Sequence, residues 1–178
     1  MSASSLPLTL IERGVAGDKL DLAEELVSLR APASLEADQY RTLRQSIERM
    51  HRDSALQVVA ITSATPGDGK TITTLNLAGA LATSRNNRVI VIDADLHQPA
   101  IADYLGLPAS FTSGLATMLQ NEKQSLSQSV VRLESLNLSV LPAGDADQPF
   151  GMRTNSTGCS RDSGSRRRGR SCRRASRR

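Results

Sequence analysis

Eight residues, Ala64-Thr65-Pro66-Gly67-Asp68-Gly69-Lys70-Thr71, constrain this chain most, because of what flanks them. Before them runs Leu56-Gln57-Val58-Val59-Ala60-Ile61-Thr62, a short β-branched stretch that predicts a buried strand. After them, Ile72 to Ala82 has apolar residues at helical spacing, with Gly79 as its one punctuating residue. A strand, a glycine-rich turn and a helix make a phosphate-binding loop of the relaxed form, with Ala64 where the first glycine usually stands. Glycines at 67 and 69 allow backbone angles closed to other residues, so that successive N–H groups turn inward on phosphate oxygens. The start of the helix adds its positive end at the same place. Gly67, Asp68, Gly69, Lys70, Thr71 and Ile72 are therefore the candidate nucleotide-binding residues. Lys70 offers a mobile cation to the β- and γ-phosphates, and the Thr71 hydroxyl a ligand to Mg²⁺. The expected cofactors are ATP and Mg²⁺.

A second segment, Val89-Ile90-Val91-Ile92-Asp93-Ala94-Asp95, places two carboxylates at the end of a continuous apolar run. Such a run suits a central strand of a parallel sheet, and ligands of open α/β sheets gather at the carboxyl ends of strands. Carboxylates beside a triphosphate call for a cation, so Asp93 and Asp95 join Thr71 as candidate metal ligands. The plainer reading is that Asp93 caps a turn and Asp95 begins the next helix.

Taken together, the two segments resemble the bacterial tyrosine autokinases of capsule and exopolysaccharide synthesis, in which a Walker A loop precedes a Walker A′ aspartate strand. Gln39-Tyr40-Arg41-Thr42-Leu43-Arg44 resembles that family's helical arginine motif. Asn76-Leu77-Ala78 is similar to the segment after its phosphate loop, and Leu138 to Gly144 to the strand and turn before its Walker B. The likeness spans about residues 34–147. It implies an α/β fold, a parallel-sheet P-loop NTPase of Rossmann-like three-layer form whose C-terminal part is incomplete. It further implies ATP-dependent phosphorylation of tyrosine, with Lys70 and Asp93 catalytic and Asp95 helping to hold the metal. The partners it implies are a homo-oligomer formed through the helix around Arg41 and Arg44 and a membrane polysaccharide co-polymerase or adaptor. Two departures stand out: Asp38 where the family usually has Glu, with Glu36 nearby, and His97-Gln98-Pro99 where it usually has Arg-Arg-Pro. Partitioning-type P-loop ATPases share the two nucleotide motifs and remain the alternative, as does an inactive truncated product.

The remaining sequence divides the chain. Residues 1–33 read as a flexible start with a helix over Asp18–Arg30, and 34–150 as the nucleotide-binding domain. Ser34 caps a helix to about Arg52, with Glu36 and Asp38 at its positive end and Tyr40, Leu43, Ile47 and Met50 on a packing face. Short helices are predicted over Pro99–Leu105, Gly114–Leu119 and Leu126–Leu133, and a strand over Leu136–Leu141. With no Trp, two Tyr and two Phe, the core must be aliphatic. No apolar segment approaches the ~20 residues that cross a bilayer, and no secretory leader is visible, so the expected place is the cytoplasm, with recruitment to the inner membrane face by a partner.

Charge separates the tail from the rest. Residues 1–150 hold 12 Lys and Arg against 17 Asp and Glu, whereas residues 151–178 hold 10 Arg against one Asp. Ordering 28 residues costs about 30–55 kcal/mol of backbone entropy at ~1–2 per residue. Burying Met152, Cys159, Cys172 and Ala175 returns about 10 at most. The tail is expected to be disordered. Its two cysteines lack the companions of a zinc site. The Walker B strand expected after Gly144 is missing, and the Arg-Ser-Gly-Cys mixture suits a reading frame lost near Gln148–Met152. An arginine arm could also bind nucleic acid by charge, but without interleaved aromatics nucleic acid is not the expected partner.

Overall fold

A computed structural model describes residues 20–144 except 85, 109, 110, 112 and 122. The elements are α1 (Val27–Arg30), α2 (Leu35–Ser54), α3 (Lys70–Ala82), β1 (Val89–Ile92), α4 (Ile101–Tyr104), α5 (Leu115–Gln120), α6 (Leu126–Ser129), β2 (Val131–Leu133) and β3 (Leu138–Leu141). The expectations for residues 1–19 and for the arginine-rich tail lie outside the described residues.

The sheet follows from three short apolar runs in the order β1-β3-β2. β1 runs parallel to β3, with Val91 beside Val140, and β2 runs antiparallel to β3, with Val131 beside that same Val140. The row Val91–Val140–Val131 and its neighbour Leu138–Leu133 point to one face, where they meet Leu75, Ala78 and Ala82 of α3 and Leu26, Ile101 and Leu105. The fold is α/β, and its core is aliphatic as composition requires. Alternation sends Ile90 and Ile92 to the other face, where they are 44% and 48% exposed.

Helix α2 starts as its sequence dictates: the Ser34 side chain accepts the Ala37 N–H, and Glu36 and Asp38 occupy the first turn. Its inward strip differs from the expected one. Ala37 is buried and Arg41, Arg44 and Glu48 are half-buried, as are Tyr40 and Ile47 of the expected face, while Leu43 and Met50 are exposed. Arg44 reaches the Ala80 carbonyl of α3 and pairs with Glu48, a polar contact where an apolar stripe was expected to pack.

Three further expectations are corrected. The helix over Asp18–Arg30 shrinks, among the described residues, to Val27–Arg30. Ala23 N–H is taken by the Tyr104 carbonyl, and the Glu25 carbonyl and Ser28 N–H by the Asn76 side chain, so tertiary bonds replace the helical ladder. Leu22, Leu26 and Leu29 still face the core. The helix over Leu126–Leu133 stops at Ser129, because the β-branched pair Val130-Val131 leads into the antiparallel pairing with β3. The sheet is thus mixed rather than wholly parallel.

The third correction concerns Leu56–Thr62, which belongs to no sheet. Val58 is 81% exposed. Strand propensity is a fit to a pleated surface, and pairing requires an edge. Among the described residues β1 is paired by β3 on one side, and Leu56–Thr62 does not take up its other side.

Candidate nucleotide-binding site

Residues 64–71 form the turn that delivers the chain into α3. Gly67 and Gly69 have φ of +85° and +82°, and a Cβ at either would meet nothing within 4 Å. Their need for glycine is conformational, and the space beside them is open. Gly69 is the N-cap of α3 without a side-chain cap, so the first N–H groups of the helix face the loop without a capping acceptor. No acidic residue occupies that first turn. The geometry is that of an anion seat, positive from the helix end and from Lys70.

Asp68 has a different part from its glycine neighbours. Its carboxylate accepts the Thr65 hydroxyl at 2.6 Å and the Thr65 N–H at 3.1 Å, closing the loop on itself. The Thr65 hydroxyl first, then the Thr65 N–H, holds the Asp68 carboxyl below its ordinary value. Lys70 folds back over the loop, its ammonium 3.0 Å from Ser63 Oγ and 3.5 Å from the Thr65 carbonyl.

Across the cavity stands the Asp93–Tyr104 segment. Asp93 is 5% exposed, and both of its oxygens are engaged. Oδ1 accepts Asp95 N–H, and Oδ2 accepts the Ala100 and Ile101 N–H groups, each at 3.1 Å. Asp95 Oδ1 in turn accepts His97 N–H at 3.3 Å and Gln98 N–H at 3.0 Å. Asp93 holds the turn and the start of α4, and Asp95 closes the 95–98 turn and does not begin the helix, which starts at Ile101. Asp95 nonetheless borders the cavity; Asp93 lies behind it.

That cavity has a volume of about 400 Å³ and joins the two segments. The loop supplies Gly67, Gly69, Lys70, Thr71 and Ile72, and the facing wall Asp95, His97 and Tyr104. The structure therefore brings together every predicted nucleotide residue except Asp68, which fastens the loop, and of the two aspartates only Asp95. Sequence reasoning missed Ser63 and Thr65, the hydrogen-bond partners of Lys70, and the Tyr104 wall. For Tyr104 a signal existed, since it follows Asp93 by eleven positions on the next helix, but only the Asp93–Ala100 bond turns that helix toward the loop. Among the described residues no three His, Cys, Asp or Glu side chains cluster as a metal site. Thr71 and Asp95, the two oxygen donors on opposite walls, fit a Mg²⁺ that takes most of its ligands from phosphate and water.

A glycine loop that leads into a helix and faces an aspartate turn defines a class, and the family comparison agrees with it. Residues 59–152 match the CobQ/CobB/MinD/ParA nucleotide binding domain, and the chain belongs to that family. Within it, the chain is similar to tyrosine-protein kinase YwqD of Bacillus subtilis, with 37% identity over 123 residues, 69% of this chain and 50% of the relative. It is similar also to the succinoglycan biosynthesis transport protein ExoP of Rhizobium meliloti, with 33% identity over 65% of this chain and 14% of that one. Among solved structures, the BceF tyrosine kinase domain matches with a TM-score of 0.54 and 32% identity, covering 67% of this chain and 45% of that one. The chain spans half or less of the length of each of these proteins.

Proposed function

We propose that this chain is the nucleotide-binding part of a bacterial protein-tyrosine kinase of exopolysaccharide biosynthesis, using MgATP as phosphoryl donor. The observation that carries the reading is the seat itself: two left-handed glycines, the uncapped start of α3 and Lys70, facing Asp95 across one cavity. When bound, the metal neutralises charge building on the transferred phosphoryl group. The residues of the chain do the positioning. Gly67–Ile72 N–H groups hold phosphate oxygens, and Lys70 leaves Ser63 and Thr65 for the β- and γ-phosphates. Thr71 and Asp95 are the protein ligands of the metal. Asp93 shapes the 95–100 turn, and acts as base toward a tyrosine hydroxyl only once Ala100 and Ile101 release it.

The finer readings belong to the same proposal. Residues 34–150 form the kinase domain, following a start over 1–33 and preceding the tail 151–178. The full kinase works in the cytoplasm, at the inner face of the plasma membrane beside a polysaccharide co-polymerase, and assembles with copies of itself through α2. In the described residues no helix is long and apolar enough to cross a membrane. Calorimetric titration with MgATP and phosphotyrosine detection, on wild type and K70M, test the reading. Binding lost in K70M supports it; a wild-type chain that ignores MgATP sinks it. The partitioning-ATPase reading, favoured by the MinD and ParA members of the matched family, requires instead an ATP-dependent dimer on DNA.

A further inference from the structure

We infer that Arg44 is a positioning residue for the nucleotide site, tying the placement of α2 to the phosphate loop through the length of α3. The inference rests on the reading of 64–71 as a phosphate seat. Helix α3 runs thirteen residues, from Lys70 in that seat to Ala82, and its last four carbonyls find no partner within those thirteen residues. Each is met by a side chain. Gly79 O accepts both the N–H and the hydroxyl of Thr83 at 3.2 Å, and Ala80 O accepts Arg44 Nη1 at 3.2 Å. Leu81 O accepts Asn87 Nδ2 at 3.0 Å, and Ala82 O accepts Asn137 Nδ2 at 2.9 Å. Thr83, Asn87 and Asn137 are neutral and lie on the segments that follow α3. Arg44 alone of the four is cationic, and it alone belongs to α2.

Charge and geometry favour this contact over a merely solvated arginine. The carbonyl end of a helix is its negative pole, where a partly buried cation is most effective. Arg44 Nε lies 3.6 Å from Glu48 Oε1, which also accepts the Asn87 amide at 3.2 Å, so α2 reaches Leu81 O indirectly as well. Two successive inward residues of α2 thus grip the last turn of the helix whose first turn receives the phosphates. A helix is stiff along its axis, so displacement at one end is felt at the other. Linkage then runs both ways: whatever moves α2 alters nucleotide affinity, and nucleotide binding steadies α2. This role differs from contact with a second copy, since Nη1 is committed within the chain.

The test uses the full 178-residue chain as wild type, R44A, R44K, R44Q and T83A. Amide hydrogen exchange is followed without nucleotide, and MgATP affinity is measured by calorimetry. R44A is expected to speed exchange at Gly69–Thr71 about tenfold and to weaken MgATP about fivefold or more. R44K, which keeps a charged donor, should recover most of both effects, and R44Q less. T83A removes a cap from the same helix end without touching α2, and should loosen Leu81–Thr83 while sparing the loop. Should R44A fail to fold, R44K against R44Q carries the comparison. Loosening confined to α2, with exchange at 67–71 unchanged, overturns the inference. A wild-type chain blind to MgATP refutes the nucleotide reading instead, and the exchange response still decides the link.

Discussion

Lys70 shows what a motif tells at the scale of one residue. Its position in the loop was legible because Gly67, Gly69 and Thr71 act through local backbone angles, which composition and spacing record. Its resting place against Ser63 and Thr65 was not, because that depends on how the loop closes. K70M should weaken MgATP at least about tenfold, measured by titration, with unfolding shifted by less than about 0.5 kcal/mol, since the lysine holds no buried partner. Asp68 makes a statement about pH. Its carboxyl is held below 3.8 by the Thr65 hydroxyl and N–H, so it favours the folded loop above that value and loses this effect only as pH falls through its depressed folded value. Loop order, followed by amide signals of residues 65–70, should therefore be flat between about pH 5 and 7 as far as Asp68 is concerned, and D68N should loosen it throughout. Asn76 is a third case. Fully buried, it accepts Ser28 N–H and donates to the Glu25 and Ile72 carbonyls. N76A strands two backbone groups of the 25–28 segment and should cost about 2–3 kcal/mol in urea unfolding.

Elements were legible where their signals are local. Ser34, Glu36 and Asp38 announce the start of α2, and the structure starts it there. Leu56–Thr62 and Leu126–Leu133 were misread because pairing partners distant in sequence decide both: the first meets no partner strand among the described residues, and the second is taken into the sheet by β3. The bonds of Asp93 to Ala100 and Ile101 were not legible for a related reason, since they depend on how the turn folds back. The end of α2 carries a further consequence. Ala55 sits there with φ of +54°, a left-handed conformation that suits glycine. A55G should stabilise the protein by about 1 kcal/mol, read as a higher urea midpoint at constant slope. The unpaired stretch gives an opposite expectation. Amides of Gln57–Ile61 should exchange at least about a hundredfold faster than those of Leu75–Ala80 inside α3.

At the scale of the whole molecule, two features act beyond any single contact. The net charge of −5 over residues 1–150 and +9 over 151–178 makes the chain strongly dipolar in sequence. Retention on an anionic matrix such as heparin should fall steeply between about 50 and 200 mM salt, as charge-driven binding does. The other feature is the outer edge of β1, where no described strand lies, together with Ile90 and Ile92, half exposed on the sheet face away from α3. Concentration is the variable to which such an edge answers. Two copies meeting there each gain hydrogen bonds and apolar cover that neither has alone, so encounters that satisfy the edge rise with the square of concentration. Among the described residues, the open side of Val89–Ile92 is thus a place where association of copies is expected to follow concentration and not nucleotide.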